Sequence, residues 1–218
     1  MSEQRQEFDR KLEDIEVKVI ELFAMVAEDL PRATDALLTG DSQTVTVLAE
    51  RETAIDALYP EIEEVASREI LLQAPVAVDL RFLLTVLRIV PEIERSHDLV
   101  MQIATQGSHM LTAELTPRVD GLIRRMGDLV SGMWRQAADA WYKRDRSVAL
   151  ALAETDEDLD GLYASLIAEL ASGRLPLPVT MEITLAGHDY ERLGAHAVNI
   201  ARRVGYLAGT KPPGTTTG

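Results

Sequence analysis

No cysteine occurs among the 218 residues, so neither disulfides nor thiolate chemistry is available to this chain. No apolar run reaches the eighteen or so residues that a membrane span needs. The opening MSEQRQEFDR is polar and acidic, unlike a secretory leader. Basic residues are the minority, 22 against 36 acidic ones, for a net charge of −14. Nucleic-acid binding draws most of its affinity from neutralised phosphates, so that balance argues against a nucleic-acid partner. It favours cations and basic protein surfaces. Catalytic signatures are missing too: there is no phosphate-cradling glycine loop, nucleophile elbow, HExxH or dinucleotide fingerprint. The expectation is a soluble, cytoplasmic, non-enzymatic protein.

What is present is helical periodicity. Phe8, Leu12, Ile15, Val19, Leu22, Val26 and Leu30 step by four and three, and Val119, Leu122, Met126, Leu129 and Met133 do the same. No stretch alternates apolar and polar residues as a half-buried strand would. Breaks at 39–42, 73–75, 105–117, 142–147 and 172–178 leave six helices, and 46% hydrophobic residues suffice for a core. The GSHM at 107–110 is read as linker, and the tail GTKPPGTTTG as disordered.

The chain also repeats itself. At a shift of 104, ten of the 27 residues from 33 to 59 meet identical partners, among them Asp56 on Asp160 and Tyr59 on Tyr163. The shift then falls to 97, placing Glu94-Arg95 on Glu191-Arg192. The reading is all-α: tandem duplicated three-helix bundles with a pseudo-two-fold, a first repeat over 1–106, a linker over 107–116, a second repeat over 117–207 and a tail over 208–218. The drop in shift implies a turn seven residues shorter between the last two helices of the second copy.

Acids recur at matching places in both copies. In the second helix, the face of Val45 and Leu48 continues to Glu52, Asp56 and Tyr59. In the third, a face that opens with Leu80, Leu84 and Leu87 continues through Pro91 to Glu94 and Asp98. An antiparallel hairpin turning at Pro75 puts Glu52 level with Asp98, and Asp56 level with Glu94. The second repeat brings Asp156, Asp160 and Glu191 together in the same way, but with Ala195 where a fourth acid belongs. His188, one helical turn before Glu191, is a candidate substitute, while His196 points elsewhere.

Acid pairs so placed repel unless protonation, basic neighbours or a cation relieves them. Arg51 and Arg95 flank the first group. Clustered carboxylates are hard oxygen ligands suited to Mg²⁺, Ca²⁺, Mn²⁺ or iron. The segment Glu94-Arg95-Ser96-His97 also has the Glu-x-x-His spacing of di-iron carboxylate oxidoreductases. Its second copy lacks the histidine, having Gly194 there, and His97 projects off the Glu94–Asp98 face. A metal-free helical scaffold is the third reading.

With the duplicated unit, APVAVDLR at 74–81, EIERSHD at 92–98 and ERLGAHAVNIARR at 191–203, the chain resembles the PhoU family of phosphate-uptake regulators over roughly residues 8–206. The resemblance implies two three-helix bundles acting as a cytoplasmic negative regulator of the phosphate-starvation response. It implies partners: the ATPase subunit of the phosphate transporter, a sensor histidine kinase and a second copy in a homodimer. Contact with the inner face of the plasma membrane would be peripheral, through those partners. It implies metal, iron or zinc or else Mg²⁺ or Mn²⁺, at Glu52, Asp56, Glu94, Asp98, Asp156, Asp160 and Glu191. Asp79 and Arg81, within the most specific segment, are read as taking part in an intrahelical or interhelical ion pair near a helix start.

Overall fold

The computed structural model describes residues 3–109 and 115–208. Those residues form six helices: α1 (Glu3–Thr39), α2 (Ser42–Gln73), α3 (Ala77–His109), α4 (Pro117–Lys143), α5 (Val148–Leu170) and α6 (Leu177–Ala208). The expected tail at 209–218 and the centre of the linker, 110–114, lie outside the described residues.

Two of the helix starts are capped by side chains. Asp41 accepts from the Gln43 amide ahead of α2, and Thr116 from the Val119 amide ahead of α4, where Pro117 takes the first turn. The α1 seam is buried from Phe8 to Leu30 apart from a partly covered Leu12.

α1, α2 and α3 pack on one another, as do α4, α5 and α6. Between the two groups only α1 meets α4 and α3 meets α6, so these four make a central layer with α2 and α5 on its outer flanks. Both central pairs are antiparallel. Glu16 pairs with Arg144 and Asp35 with Arg124 along α1 and α4. Glu92 faces Arg203 and Gln106 faces Asp189 along α3 and α6. The two hairpin turns, 74–76 and 171–176, therefore lie at opposite ends of the molecule.

Three expectations change. The seven missing residues of the second copy come from the helix and not the turn: α2 has 32 residues and α5 has 23, while the connector lengthens from 74–76 to 171–176. Seven residues are about two helical turns, so their loss shortens the hairpin without rotating its seam. Second, the GSHM stretch is not simply linker, since α3 runs on to His109. Gly107 is where α3 presses on α1: a β-carbon there would stand 2.3 Å from the Ala36 carbonyl oxygen. Third, the Leu80–Leu84–Leu87 face is not a buried seam, and Leu84 is 39% exposed. α3 is claimed by α1 and α6 as well as α2, and it buries Leu83, Val86, Val90, Ile93 and Val100 instead.

Candidate functional site

α2 buries Leu48, Ile55 and Ile62 at heptad spacing, and the intervening seam places are held by Glu52 and Tyr59, both half-buried. α5 repeats the arrangement with Leu152, Leu159 and Leu166 buried and Asp156 and Tyr163 half-buried between them. Each outer helix thus sets a half-buried carboxylate, Glu52 or Asp156, between a leucine and the isoleucine or leucine that follows it in the seam. Asp56 and Asp160, one turn further on, are exposed. α2 adds a second seam carboxylate, the fully buried Glu69, which pairs with Lys11 of α1 at 2.8 Å.

The first repeat brings its four acids together. Glu52 and Asp98 line one groove, together with Gln102, Thr105 and Glu182. Burial pushes the Glu52 carboxyl above its ordinary range; the neighbouring His97 opposes this, and the charges of Asp98 and Asp56 add to it. Glu94 is raised by burial and then by Asp98 and Asp56. The flanking arginines do not pair with these acids. Arg51 reaches back to α1, its Nε 2.8 Å from Asp29 and a terminal nitrogen 3.0 Å from Glu28. Arg95 Nε donates to the Pro91 carbonyl of its own helix.

Asp156, Asp160 and Glu191 likewise come together in the second repeat. Burial raises Asp156 with Asp160 adding and Arg202 opposing. Burial also raises Glu191, against the nearby His188, whose Nδ1 lies 3.5 Å from a Glu191 oxygen. Ala195 is exposed and contributes nothing toward α5, whereas Gly194 is buried there: a β-carbon on it would stand 2.8 Å from Asp156 Oδ1. The second hairpin closes on its carboxylate through the absence of a side chain.

Among the described residues, no three His, Asp or Glu side chains are gathered tightly enough, as they lie, to enclose a metal ion. The donor set fits one in kind. In the first repeat it comprises desolvated carboxylates without a basic side chain ion-paired to them.

The histidines differ in surroundings. His97 is 1% exposed, and its Nε2 lies 3.2 Å from Asp29. His196 is half-buried, accepts from or donates to Ser96 Oγ at 2.8 Å, and is held down to about 4 by burial and by Arg192 and Arg95. Asp79 takes the interhelical form of the expected ion pair: its partner at 3.0 Å is Arg5 of α1, while the buried Nε of Arg81 has no hydrogen bond. Between them, Ala74 and Ala77 hold left-handed backbone, φ 43° and 50°, around Pro75 and Val76.

Sequence reasoning missed Asp29. It is fully buried on α1 and accepts from both Arg51 and His97. It also missed the equivalent pair Glu92 and Asp189, which cross between repeats.

Comparison with known proteins bears on both halves. The PhoU domain family model matches residues 19–106 and again 123–204. A phosphate-specific transport system accessory protein PhoU homolog of Zymomonas mobilis is 32% identical over 97% of this chain and 91% of its own. One from Pseudomonas putida is 29% identical over 93% and 80%. Among solved structures, PhoU from Pseudomonas aeruginosa superposes with a TM-score of 0.86 at 28% identity, covering 93% of this chain and all of that one. The phosphate transport system regulatory protein PhoU from Streptococcus pneumoniae gives 0.83 at 25% identity, covering 92% and 96%.

Proposed function

The chain belongs to the PhoU family, and on that premise we propose that it is a non-catalytic regulator of phosphate transport. It restrains phosphate uptake and the starvation response by docking between the transporter's ATPase subunit and a sensor histidine kinase, as a homodimer. The observation that carries the reading is the family match to both repeats, each with a carboxylate set into the apolar seam of its outer helix. No helix among the described residues is long and apolar enough to cross a membrane, so attachment to the transporter would be peripheral.

A cation belongs to the same proposal. Glu52, Asp56, Glu94 and Asp98 would hold it in the first repeat, and Asp156, Asp160 and Glu191 in the second. A divalent ion of iron, zinc, magnesium or manganese supplies the positive charge that relieves repulsion among the acids and ties each outer helix to its neighbour. The di-iron oxidoreductase reading has less behind it, because the counterpart of His97 is Gly194.

The functional test is genetic. Cells lacking the chain should express a phosphate-starvation reporter even in phosphate-rich medium, and the wild-type chain should restore repression; a reporter indifferent to the chain would sink the regulatory reading. The cation test is metal content per chain by plasma mass spectrometry, without chelator. Stoichiometric metal should fall in Glu52→Ala/Asp98→Ala. Wild type that takes up none after exposure to iron, zinc or manganese removes the cation from the proposal.

A further inference from the structure

The pseudo-two-fold gives the molecule two grooves of like position and unlike lining. In the first, α2 supplies Glu52, α3 supplies Asp98, Thr105 and Gln106, and α6 of the other repeat supplies Glu182, around a volume of about 600 Å³. Among the described residues, no lysine or arginine lines it. At the shift of 97, the places of Thr105, Gln106 and Leu185 fall to Arg202, Arg203 and Arg88, and Asp98 gives way to Ala195. Arg202 stands near enough to Asp156, the counterpart of Glu52, to oppose the rise of its carboxyl. One groove is therefore walled by acids, and its counterpart is rich in arginine.

The polar lining of the first groove accepts hydrogen bonds and hardly donates them. Of its carboxylates, Glu182 has the rim histidine His109 at 3.5 Å, while Arg51, next to Glu52, is turned away onto Asp29. Thr105 gives its only hydroxyl proton to the Met101 carbonyl at 2.8 Å, which leaves lone pairs on its oxygen. Gln106 is 8% exposed; its amide nitrogen donates to Asp189 at 3.0 Å, and Oε1, the other arm of that amide, is buried without a partner. An acceptor left in that state is destabilising until a donor meets it. Beside these oxygens lies apolar surface, the nearly buried Met101 and the 51% exposed Leu185.

We propose that this groove is a docking site for an arginine side chain presented by a partner protein. A guanidinium has five N–H donors and no acceptor, set in a planar fork that can serve several oxygens at once, and it is less strongly hydrated than the ammonium of lysine. Its aliphatic stem suits the Met101–Leu185 surface, since long cationic side chains cover apolar ground while their heads stay among polar groups. Glu182 belongs to α6, and Glu52 and Asp98 to the first hairpin, so the incoming side chain is held across the junction of the repeats. Arg88, Arg202 and Arg203 repel the same side chain from the counterpart groove, which restricts docking to one of the two. The role of this contact in signalling rests on the docking regulator proposed above.

The test titrates the full chain, kept metal-free by chelator, with Nα-acetylargininamide, and follows the Met101 and Leu185 methyl groups and the Gln106 side-chain amide by NMR. These signals should shift with a dissociation constant on the order of millimolar. Acetylcitrullinamide, of the same shape without the charge, should leave them unmoved. Glu182→Gln should weaken binding by at least about tenfold, and Leu185→Arg, which gives this groove the residue type of its counterpart, should abolish it. An unresponsive chain overturns the guanidinium site, as do acetyllysinamide binding equally well or shifts that survive Glu182→Gln. Spermidine binding more tightly than the arginine compound makes the occupant a free polyamine and overturns the docking. A chain that represses the phosphate-starvation reporter yet shows no shifts loses the groove and keeps its regulatory role. Shifts in a chain to which that reporter is indifferent leave the guanidinium site standing and sink the regulatory reading instead.

Discussion

Glu92 and Asp189 occupy equivalent places on α3 and α6, 97 residues apart, and each reaches into the opposite repeat: Glu92 toward Arg203 and Asn199, Asp189 to Gln106. Gln106 and Arg203 are equivalent to one another as well, so one contact is made twice, once as an ion pair and once as an amide–carboxylate bond. The pseudo-two-fold passes between them, near Leu99 and His196. The two halves are joined by polar contacts at fixed levels, which set how far α3 and α6 slide along one another.

The Asp189 contact should be the more sensitive of the two. Both its groups are buried, and Asp189→Ala leaves the Gln106 amide without its partner, at a cost of about 1–2 kcal/mol in urea unfolding. Asp189→Asn should cost less, since the new side chain still offers an oxygen to Gln106. Equal losses in the two variants would mean that the negative charge, and not the bond, is what matters.

Gly107→Ala should destabilise although alanine is the better helix former. The added carbon meets main chain of α1 (2.3 Å from the Ala36 oxygen, 2.6 Å from Leu37 Cα), which cannot turn aside as a side chain can. A loss of about 1–3 kcal/mol is expected. Gly121→Ala is the control: nothing lies within 4 Å of its β-carbon, so it should gain about 0.5–1 kcal/mol from propensity alone.

Acid should favour the metal-free seam. Glu52, Glu94, Asp156 and Glu191 all have carboxyls raised above their ordinary values, first by burial and then by neighbouring carboxylates, Asp56 and Asp98 in the first repeat and Asp160 in the second. A raised carboxyl binds its proton more tightly in the folded chain than in the unfolded one. Its stabilising protonation is complete below the unfolded value and is lost as pH rises through the folded value. Glu52→Gln should therefore raise the Tm of chelator-treated protein at pH 7, with the gain shrinking toward pH 4.5, the ordinary glutamate value. A melting-temperature difference flat across that range would contradict the electrostatic origin.

Arg144 separates backbone strain from side-chain contact. It ends α4 with left-handed backbone, φ 54°, where the first repeat has Gly40 at φ 70°. Its guanidinium lies 4.3 Å from the Trp141 ring centroid and 5.4 Å from that of Phe82, and reaches Glu16 at 2.8 Å. Burial lowers its pKa against Glu16. Arg144→Ala loses those contacts and keeps the strain, whereas Arg144→Gly loses the contacts and removes the strain. Thermal unfolding should place alanine below glycine by about 1 kcal/mol, with both below wild type.

Much of this was legible in the sequence because heptad spacing and a repeat are periodic signals. The six helices, their pairing into hairpins and the gathering of Glu52, Asp56, Glu94 and Asp98 followed from counting residues along faces. Asp29 could have been read the same way. After Val26, strict alternation of four and three lands on Asp29 and then Ala33, with Leu30 beside the seam; following the apolar residue passed over the buried acid. Leu84 failed in the opposite sense, since spacing shows that residues share a face but not which neighbour claims it. Gly107, Gly187 and Gly194 were silent, because what they do is leave room for atoms of another helix: for Gly187, the Tyr163 ring and Leu166.

The antiparallel stacking of the repeats has a consequence for recognition. With one hairpin tip at each extremity, a partner that docks end-on meets one tip and not the other. The tips are unlike: at one, Leu72 and Val76 stand out beside the left-handed alanines, and at the other, Leu177 follows a glycine turn. Which way up the molecule sits on its partner is then a choice between two poles. Duplication thereby gave a nearly symmetric body a polarity that a single three-helix unit would not have offered in this form.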